Sequence, residues 1–208
     1  MTRIYYDTEF HDTGSSIDTI SIGLVAGERE YYAVSADFDQ KRVYGHEWLR
    51  ANVMPHLPLA SGPAAPDAWL DLNHPHVKPR AQIAEEVYAF IAAAPEPELW
   101  AYYSAFDHVA LAWLAGRPMV QLPRGVPWRT NDLEQEAARL GNPKLPVQEA
   151  GEHYALADAR HNQVVGEYLA ELAERRVPLN GRLYDVAAFE WNDGFAGEER
   201  WTVYGHRV

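Results

Sequence analysis

Asp7 and Glu9 are the first residues whose types and spacing suit chemistry, because they place two carboxylates two positions apart after the predicted strand Arg3–Tyr6. Side chains of a strand alternate between its faces, so both should project from one face at the end of this strand. Neighbouring buried carboxylates repel each other, which raises their pKa values unless a cation lies between them. The pair therefore indicates a divalent metal site. The pattern alone is weak, since D-x-E is expected about once by chance and recurs at Asp132-Leu133-Glu134.

Asp107, His153 and Asp158 are the other residues that could complete such a site. Asp107 follows the predicted strand Glu98–Tyr103 in the first turn of a helix, where an acid also stabilises the helix through its dipole. His153 and Asp158 form the only H-x-x-x-x-D spacing made by the nine histidines. Residues five apart on one helix lie about 140° apart around its axis. We therefore expect Asp158 near the start of a long helix, as a metal ligand, and His153 in the preceding loop, as a general base.

Hydrophobic patterning predicts the elements that must position these residues. Partial alternation predicts two further strands, and spacings of three and four predict helices. A proline-rich loop over residues 55–79 shows little periodicity. Residues 180–208 form a C-terminal extension that packs on the body, as an arm or with a short strand near Trp201–Tyr204. The predicted strands are Ile17–Val25 and Glu30–Val34, and the predicted helices are Gln82–Ile91, Ala105–Leu114, Leu133–Leu140 and Ala155–Arg175.

The composition fits a single α/β domain over residues 1–208. The chain is 47% hydrophobic and has no cysteine, which excludes a disulfide scaffold and thiolate chemistry. No apolar run is long enough to cross a membrane and no signal segment is evident, so we expect a cytoplasmic protein. A net charge of −12 argues against a strong non-specific nucleic-acid binder. It does not exclude an enzyme whose bound metals supply positive charge locally.

The segments Tyr6–Phe10, Trp100–Asp107 and His153–Ala159 resemble, in this order, the three motifs of the DEDDh family of 3′→5′ exonucleases. The chain is similar to the ribonuclease T-like members, and most of all to small actinobacterial 3′→5′ exoribonucleases, over roughly Ile4–Leu172. The resemblance implies a ribonuclease H-like α/β fold, with a central five-stranded mixed sheet flanked by helices. One departure is Ser104-Ala105, where many relatives carry an asparagine-containing run before the aspartate.

The resemblance also implies a function and a set of site residues. The protein would remove 5′-mononucleotides from single-stranded 3′ ends or 3′ overhangs of RNA by two-metal-ion hydrolysis. It would use two Mg²⁺ or Mn²⁺ ions and form a homodimer. The catalytic residues would be His153, Asp7, Glu9, Asp107 and Asp158, of which the four acids bind metal, and the candidate substrate contacts are Thr8, Phe10, Phe106 and Arg160.

Three alternatives stay open at this point. A DNA 3′→5′ exonuclease would need the same acids, since preference for RNA depends on contacts to the 2′-hydroxyl group. An oligoribonuclease restricted to very short RNA is a variant of the same chemistry. A catalytically inactive nucleic-acid-binding module is the third alternative, although the presence of all five catalytic positions argues against it.

Overall fold

The computed structural model describes residues 1–60, 70–116, 121–179, 182–193 and 199–207. The chain divides into two compact units. The first unit comprises Met1–Leu133 and Val147–Val164, and the second comprises Glu134–Pro146 and Val165–Val208. All five predicted catalytic residues belong to the first unit. The expectation of a single domain over the whole chain stays a prediction.

The first unit contains a mixed six-stranded sheet with the order β4-β3-β2-β1-β5-β6. Strands β1, β5 and β6 are parallel to one another, β2 is antiparallel to both β1 and β3, and β4 is parallel to β3. The strands are β1 (Thr2–Asp12), β2 (Ile17–Ala26), β3 (Arg29–Ser35), β4 (Val77–Lys78), β5 (Pro97–Ala101) and β6 (Thr130–Asp132). The α/β class and the mixed sheet are therefore confirmed.

The sheet has one strand more than the five that we expected. The additional strand, β4, comes from the end of the proline-rich region and pairs Val77 with Val34 of β3. The prediction of an unstructured loop over residues 55–79 was wrong there, because a two-residue strand is too short to leave an alternating pattern. A one-turn 3₁₀ helix at Met54–His56 also extends into this region, and its residues 61–69 lie outside the described part of the chain.

Six α-helices lie in the described residues, and four of them agree closely with the predicted ones. Helices α1 and α2 were not predicted, because each has only six residues and too few apolar positions to show a period. Helix α6 begins in the first unit and continues into the second. The helices are α1 (Gln40–Gly45), α2 (Glu47–Asn52), α3 (Arg80–Ala92), α4 (Ala105–Trp113), α5 (Leu133–Arg139) and α6 (Ala155–Arg175).

Alternate residues of the strands contribute to two hydrophobic clusters in the first unit. One cluster joins Ile4 and Tyr6 of β1 to Ile83 of α3 and Leu111 of α4. The other joins residues of β2 and β3 to helices α1, α2 and the beginning of α6. Neighbouring residues of β3 show the alternation, since Ala33 belongs to the first cluster, and Tyr32 and Val34 belong to the second. The sheet is therefore covered on both faces.

Strand β1 continues through the acidic residues instead of ending at Tyr6, as we had expected. Asp7 pairs with Gly23 of β2 and Glu9 pairs with Ser21, after which a bulge shifts the register before Phe10. Acidic residues are depleted in strands, so the sequence pattern favoured an earlier end. The backbone pairing with β2 overrides that preference and holds both acids inside the strand.

The second unit contains a three-stranded antiparallel sheet of order β7-β8-β9. The strands are β7 (Arg176–Leu179), β8 (Arg182–Asp193) and β9 (Glu199–Arg207). The short strand expected near Trp201–Tyr204 is confirmed within β9, whereas β7 and β8 were not predicted. An ion pair of 3.2 Å joins Arg175, the last residue of α6, to Asp185 of β8. None of the described helices is both long and apolar enough to cross a membrane.

Candidate active site

Asp7 and Glu9 lie on the face of the sheet that helix α6 covers. Residues that pair directly in an antiparallel ladder have side chains on the same face, and Gly23, the partner of Asp7, lies directly beneath the first turn of α6. Glu9 is buried, and Asp7 is partly buried. The prediction that the two carboxylates share one face is therefore confirmed.

His153 and Asp158 come to Glu9 from the start of α6. His153 lies in the loop before the helix with φ of 66°, a left-handed backbone conformation that is uncommon for a residue other than glycine. Its Nδ1 atom is 3.9 Å from Oε1 of Glu9. One ligand atom from each of Glu9, His153 and Asp158 lies within 4.8 Å of the other two. The predicted arrangement, a loop histidine before a helical aspartate, is confirmed.

Asp107 is held in the first turn of α4 by Thr8 of β1. One oxygen of its carboxylate accepts hydrogen bonds from the Thr8 backbone N–H at 2.8 Å and from the Thr8 hydroxyl at 2.6 Å. The β1–β5 pairing ends at Tyr5, so the Asp107 carboxylate satisfies an N–H group of β1 beyond the last paired residue. These two bonds attach the third acid to the strand that carries the first two.

Burial raises the pKa values of all four carboxyl groups, and repulsion from the other site acids adds to the shift at Asp7 and Glu9. Burial raises the pKa of Asp7 well above its ordinary value, and the charges of the other three acids raise it further. Burial, followed by repulsion from Asp158 and Asp107, raises the pKa of Glu9 to about 8. Burial raises the pKa of Asp107 to about 6, although the bonds from Thr8 oppose this shift. The pKa of Asp158 is also raised, mainly by burial.

The donor set fits a divalent cation that prefers oxygen ligands. Within the described residues, no lysine or arginine forms an ion pair with any of the four acids. Carboxylates crowded in this way are stabilised in their charged forms by a bound metal ion. Carboxylate oxygens suit Mg²⁺ and Mn²⁺ better than softer metals. Glu9, His153 and Asp158 are close enough together to share one ion.

The predicted substrate contacts have different surroundings. Phe10 and Phe106 stack on each other with ring centroids 5.8 Å apart, and Phe106 is 53% exposed, so it does not belong to the core. Thr8 is buried, and both of its donors bind Asp107. The Arg160 guanidinium forms two hydrogen bonds with Glu30, at 2.7 and 2.6 Å. Phosphate would have to compete with Glu30 for this arginine.

Several residues of the site escaped the sequence analysis. Trp48 of α2 contacts the His153 ring edge-on, with centroids 4.7 Å apart. The Gln148 side-chain amide donates a 2.7 Å hydrogen bond to Asp158. Asp132, from the second D-x-E pattern, accepts a 2.7 Å hydrogen bond from the backbone N–H of Ser104. This bond stabilises the turn before α4. Of these residues, only Asp132 had left a signal in the sequence, as the first residue of the second D-x-E pattern.

Comparison with known proteins gives matches over most of this chain. The model of the 3′-5′ exoribonuclease Rv2179c-like domain family matches residues 2–170. Two similar proteins are the 3′-5′ exoribonucleases Rv2179c and MT2234.1, from two strains of Mycobacterium tuberculosis. Each is 42% identical over 161 residues, which cover 76% of this chain and 87% of the relative. The matched residues include the whole candidate site and end within α6.

The raised pKa values predict how the stability of the metal-free protein depends on pH. A carboxyl group whose pKa is higher in the folded state keeps its proton there, so the free energy of unfolding falls as pH rises through this interval. For Glu9 the interval runs from its ordinary value of 4.5 to about 8. Glu9→Gln should therefore melt at least about 3 °C above the wild type near the upper end of the interval and close to it at the lower end. Thermal unfolding with a chelator across this range measures the difference.

Glu28→Gln, in the exposed turn between β2 and β3, is the matched control and should follow the wild type at every pH. Saturating Mn²⁺ should reverse the order, because the wild type then gains more stability than Glu9→Gln. A constant difference between Glu9→Gln and the wild type at all pH values would contradict the assignment of repulsion at Glu9.

Proposed function

Because this chain belongs to the family of 3′-5′ exoribonucleases with an Rv2179c-like domain, we propose that it shortens RNA from the 3′ end by two-metal-ion hydrolysis. The observation that carries the proposal is the convergence of four repelling carboxylates with a histidine at one place on the sheet. A purely structural role for these residues would leave their repulsion uncompensated. The same convergence argues against an inactive binding module.

The proposal places the protein in the DEDDh subclass with a ribonuclease H-like fold. In support, the three motif segments occupy the elements that this subclass requires. Asp7 and Glu9 lie in the central strand β1, Asp107 lies in the first turn of the helix after β5, and Asp158 lies in the first turn of α6. The antiparallel arrangement of β1, β2 and β3, followed by the parallel strands β5 and β6, supports the same fold.

Asp7, Glu9, Asp107 and Asp158 would hold two Mg²⁺ or Mn²⁺ ions. When bound, the ions would polarise the scissile phosphate and stabilise the charge on the leaving 3′ oxygen. Thr8 keeps the Asp107 carboxylate turned toward β1 through its two hydrogen bonds. Gln148 orients Asp158 in the same way, with one bond from a neutral amide. Neutral donors fix the carboxylates without neutralising their charge, so the acids remain available to cations.

His153 would act as the general base at one of its imidazole nitrogens and take a proton from the attacking water. Its side chain is 38% exposed, which allows water to reach it. The edge-on contact with Trp48 restrains the ring, and its Nδ1 atom lies 3.9 Å from Glu9. The products would be 5′-mononucleotides, because the bond that breaks joins the phosphorus to the 3′ oxygen of the penultimate nucleotide. That oxygen takes a proton and becomes the new 3′ terminus of the RNA.

The stacked pair Phe10 and Phe106 would contact the terminal bases of the substrate. The exposed face of Phe106 offers a platform for a base, a contact worth about 1–3 kcal/mol per base. Thr8 is better assigned to positioning Asp107 than to binding substrate. Family resemblance further suggests a homodimer, which carries over by analogy alone.

The first test of the proposal is degradation of a 5′-labelled RNA with a single-stranded 3′ end in the presence of Mg²⁺. The wild type should yield a ladder that shortens from the 3′ end, and Asp7→Asn should lower the rate by at least about a hundredfold, since even outer-shell partners of metal ligands contribute 10–100-fold. The control is Asp12→Asn at the exposed end of the same strand. Equal degradation by the wild type and Asp7→Asn would overturn the proposal. Equal or faster degradation of the matching DNA would overturn the RNA preference.

A second test addresses the contact between Trp48 and His153. Trp48→Ala should lower kcat by about tenfold to a hundredfold, because loss of orientation at a catalytic group has costs of this size. Trp48→Phe should keep most of the activity, since a second aromatic ring can fill the place beside His153. Steady-state kinetics on the same RNA measures both constants, with Trp113→Ala at the half-exposed end of α4 as control. A rise in KM without a fall in kcat would show that Trp48 binds substrate rather than restraining His153.

A further inference from the structure

We propose that Gly23 and Asn162 are positioning residues that together place Asp158 at the metal site. The inference rests on the proposed function, because it concerns the metal-binding role of Asp158. Both residues lie in the first unit, Gly23 in β2 and Asn162 in the second turn of α6. Neither side chain belongs to the acidic cluster itself.

Gly23 is not required by the backbone conformation of β2. Its φ angle is not positive, unlike those of the turn glycines, so other residues could adopt the same conformation. Glycine weakens the interior of a strand because it has no side chain to pack. Its presence here is explained instead by the close approach of another backbone.

That backbone is the first turn of α6. A Cβ atom at Gly23 would lie 2.4 Å from the carbonyl oxygen of Ala155 and 2.6 Å from the Cα atom of Leu156. Ordinary contacts of a Cβ atom begin near 3.4 Å. Both contacting atoms belong to the backbone, so rotation of a side chain cannot relieve the overlap. Any larger residue at position 23 must move the start of α6 away from the sheet, by about 1 Å.

Asp158 would move with this turn, because it lies three residues after Ala155 in the same helix. Its backbone N–H donates to the carbonyl of Tyr154, which ties it to the helix start. Metal–ligand distances are held within about 0.2 Å, so a displacement of this size removes a carboxylate from the coordination sphere. Because glycine has no side chain, Gly23 therefore determines how closely Asp158 approaches Glu9.

Asn162 fixes the same helix in the other directions. It follows Asp158 by four residues and so lies on the same face of α6. Its buried side-chain amide donates a 3.0 Å hydrogen bond to the carbonyl of Tyr6, the residue before Asp7. The helix that carries one acid is thus bonded to the peptide that carries another. Gly23 determines the distance between α6 and the sheet, and Asn162 determines the rotation and register of α6.

The test compares Mn²⁺ binding by Gly23→Ala, Asn162→Ala and the wild type, measured as the rise in melting temperature during a Mn²⁺ titration without RNA. Both variants should need at least about tenfold more Mn²⁺ for half of the effect, the scale of losses seen when the support of a metal ligand is removed. Gly45→Ala is the matched control, since a Cβ atom there meets nothing within 4 Å. It should titrate like the wild type. The Mn²⁺ dependence of RNA degradation provides a second readout.

A lower melting temperature in the metal-free variants with an unchanged Mn²⁺ midpoint would overturn the inference, because both residues would then serve stability alone. If Gly23→Ala does not fold, the Mn²⁺ midpoint of Asn162→Ala decides the question in the same way. Failure of the proposed function gives a different result, in which the wild type itself neither binds Mn²⁺ nor degrades RNA.

Discussion

The repulsion among four wholly or partly buried carboxylates is the constraint on which the rest of the site depends. Charged partners would hold these acids more strongly, but they would also occupy the oxygens that a metal ion needs. The protein instead uses neutral donors, from Thr8 to Asp107 and from Gln148 to Asp158. The stability lost at the site must be supplied by the two hydrophobic clusters that cover the sheet. Local conflict of this kind, within an otherwise consistent fold, is typical of functional sites.

Helix α6 and strand β1 carry three of the four acids, and their mutual placement is the main structural problem that the fold solves. Asp7 and Glu9 are fixed by the ladder with β2, whereas Asp158 depends on how closely a separate helix approaches that ladder. A helix normally packs on a sheet through side chains, at a distance that varies with their size. Here backbone meets backbone over Gly23, so the distance is insensitive to side-chain rotation. The arrangement gives the candidate metal site a rigid frame.

Much of this architecture could be predicted from the sequence, and the remaining features could not be predicted for identifiable physical reasons. Helices α3 to α6 have apolar positions at regular spacings, so their bounds were predicted to within a few residues. The five site residues were predicted from the order of the three motifs. The spacing between His153 and Asp158 was informative, because no other histidine has an aspartate five residues later. The predicted strand β1 ended too early, because acidic residues disfavour strands. Only the backbone pairing with β2 explains why the strand continues through them. Trp48 and Asn162 act through contacts with His153 and Tyr6, residues far away in the sequence, and such contacts leave no local pattern.

Most of the ion pairs among the described residues join an arginine to an acidic residue. Besides Arg160 with Glu30, these include Arg42 with Asp39, Arg80 with Asp18, Arg139 with Glu136 and Arg175 with Asp185. With a net charge of −12, such a surface gives a polyanion little to hold beyond its terminal nucleotides. We expect an enzyme with such a surface to release its RNA after each cut and to rebind another 3′ end at random. Its degradation would be distributive, so a population of transcripts would shorten together instead of one molecule at a time.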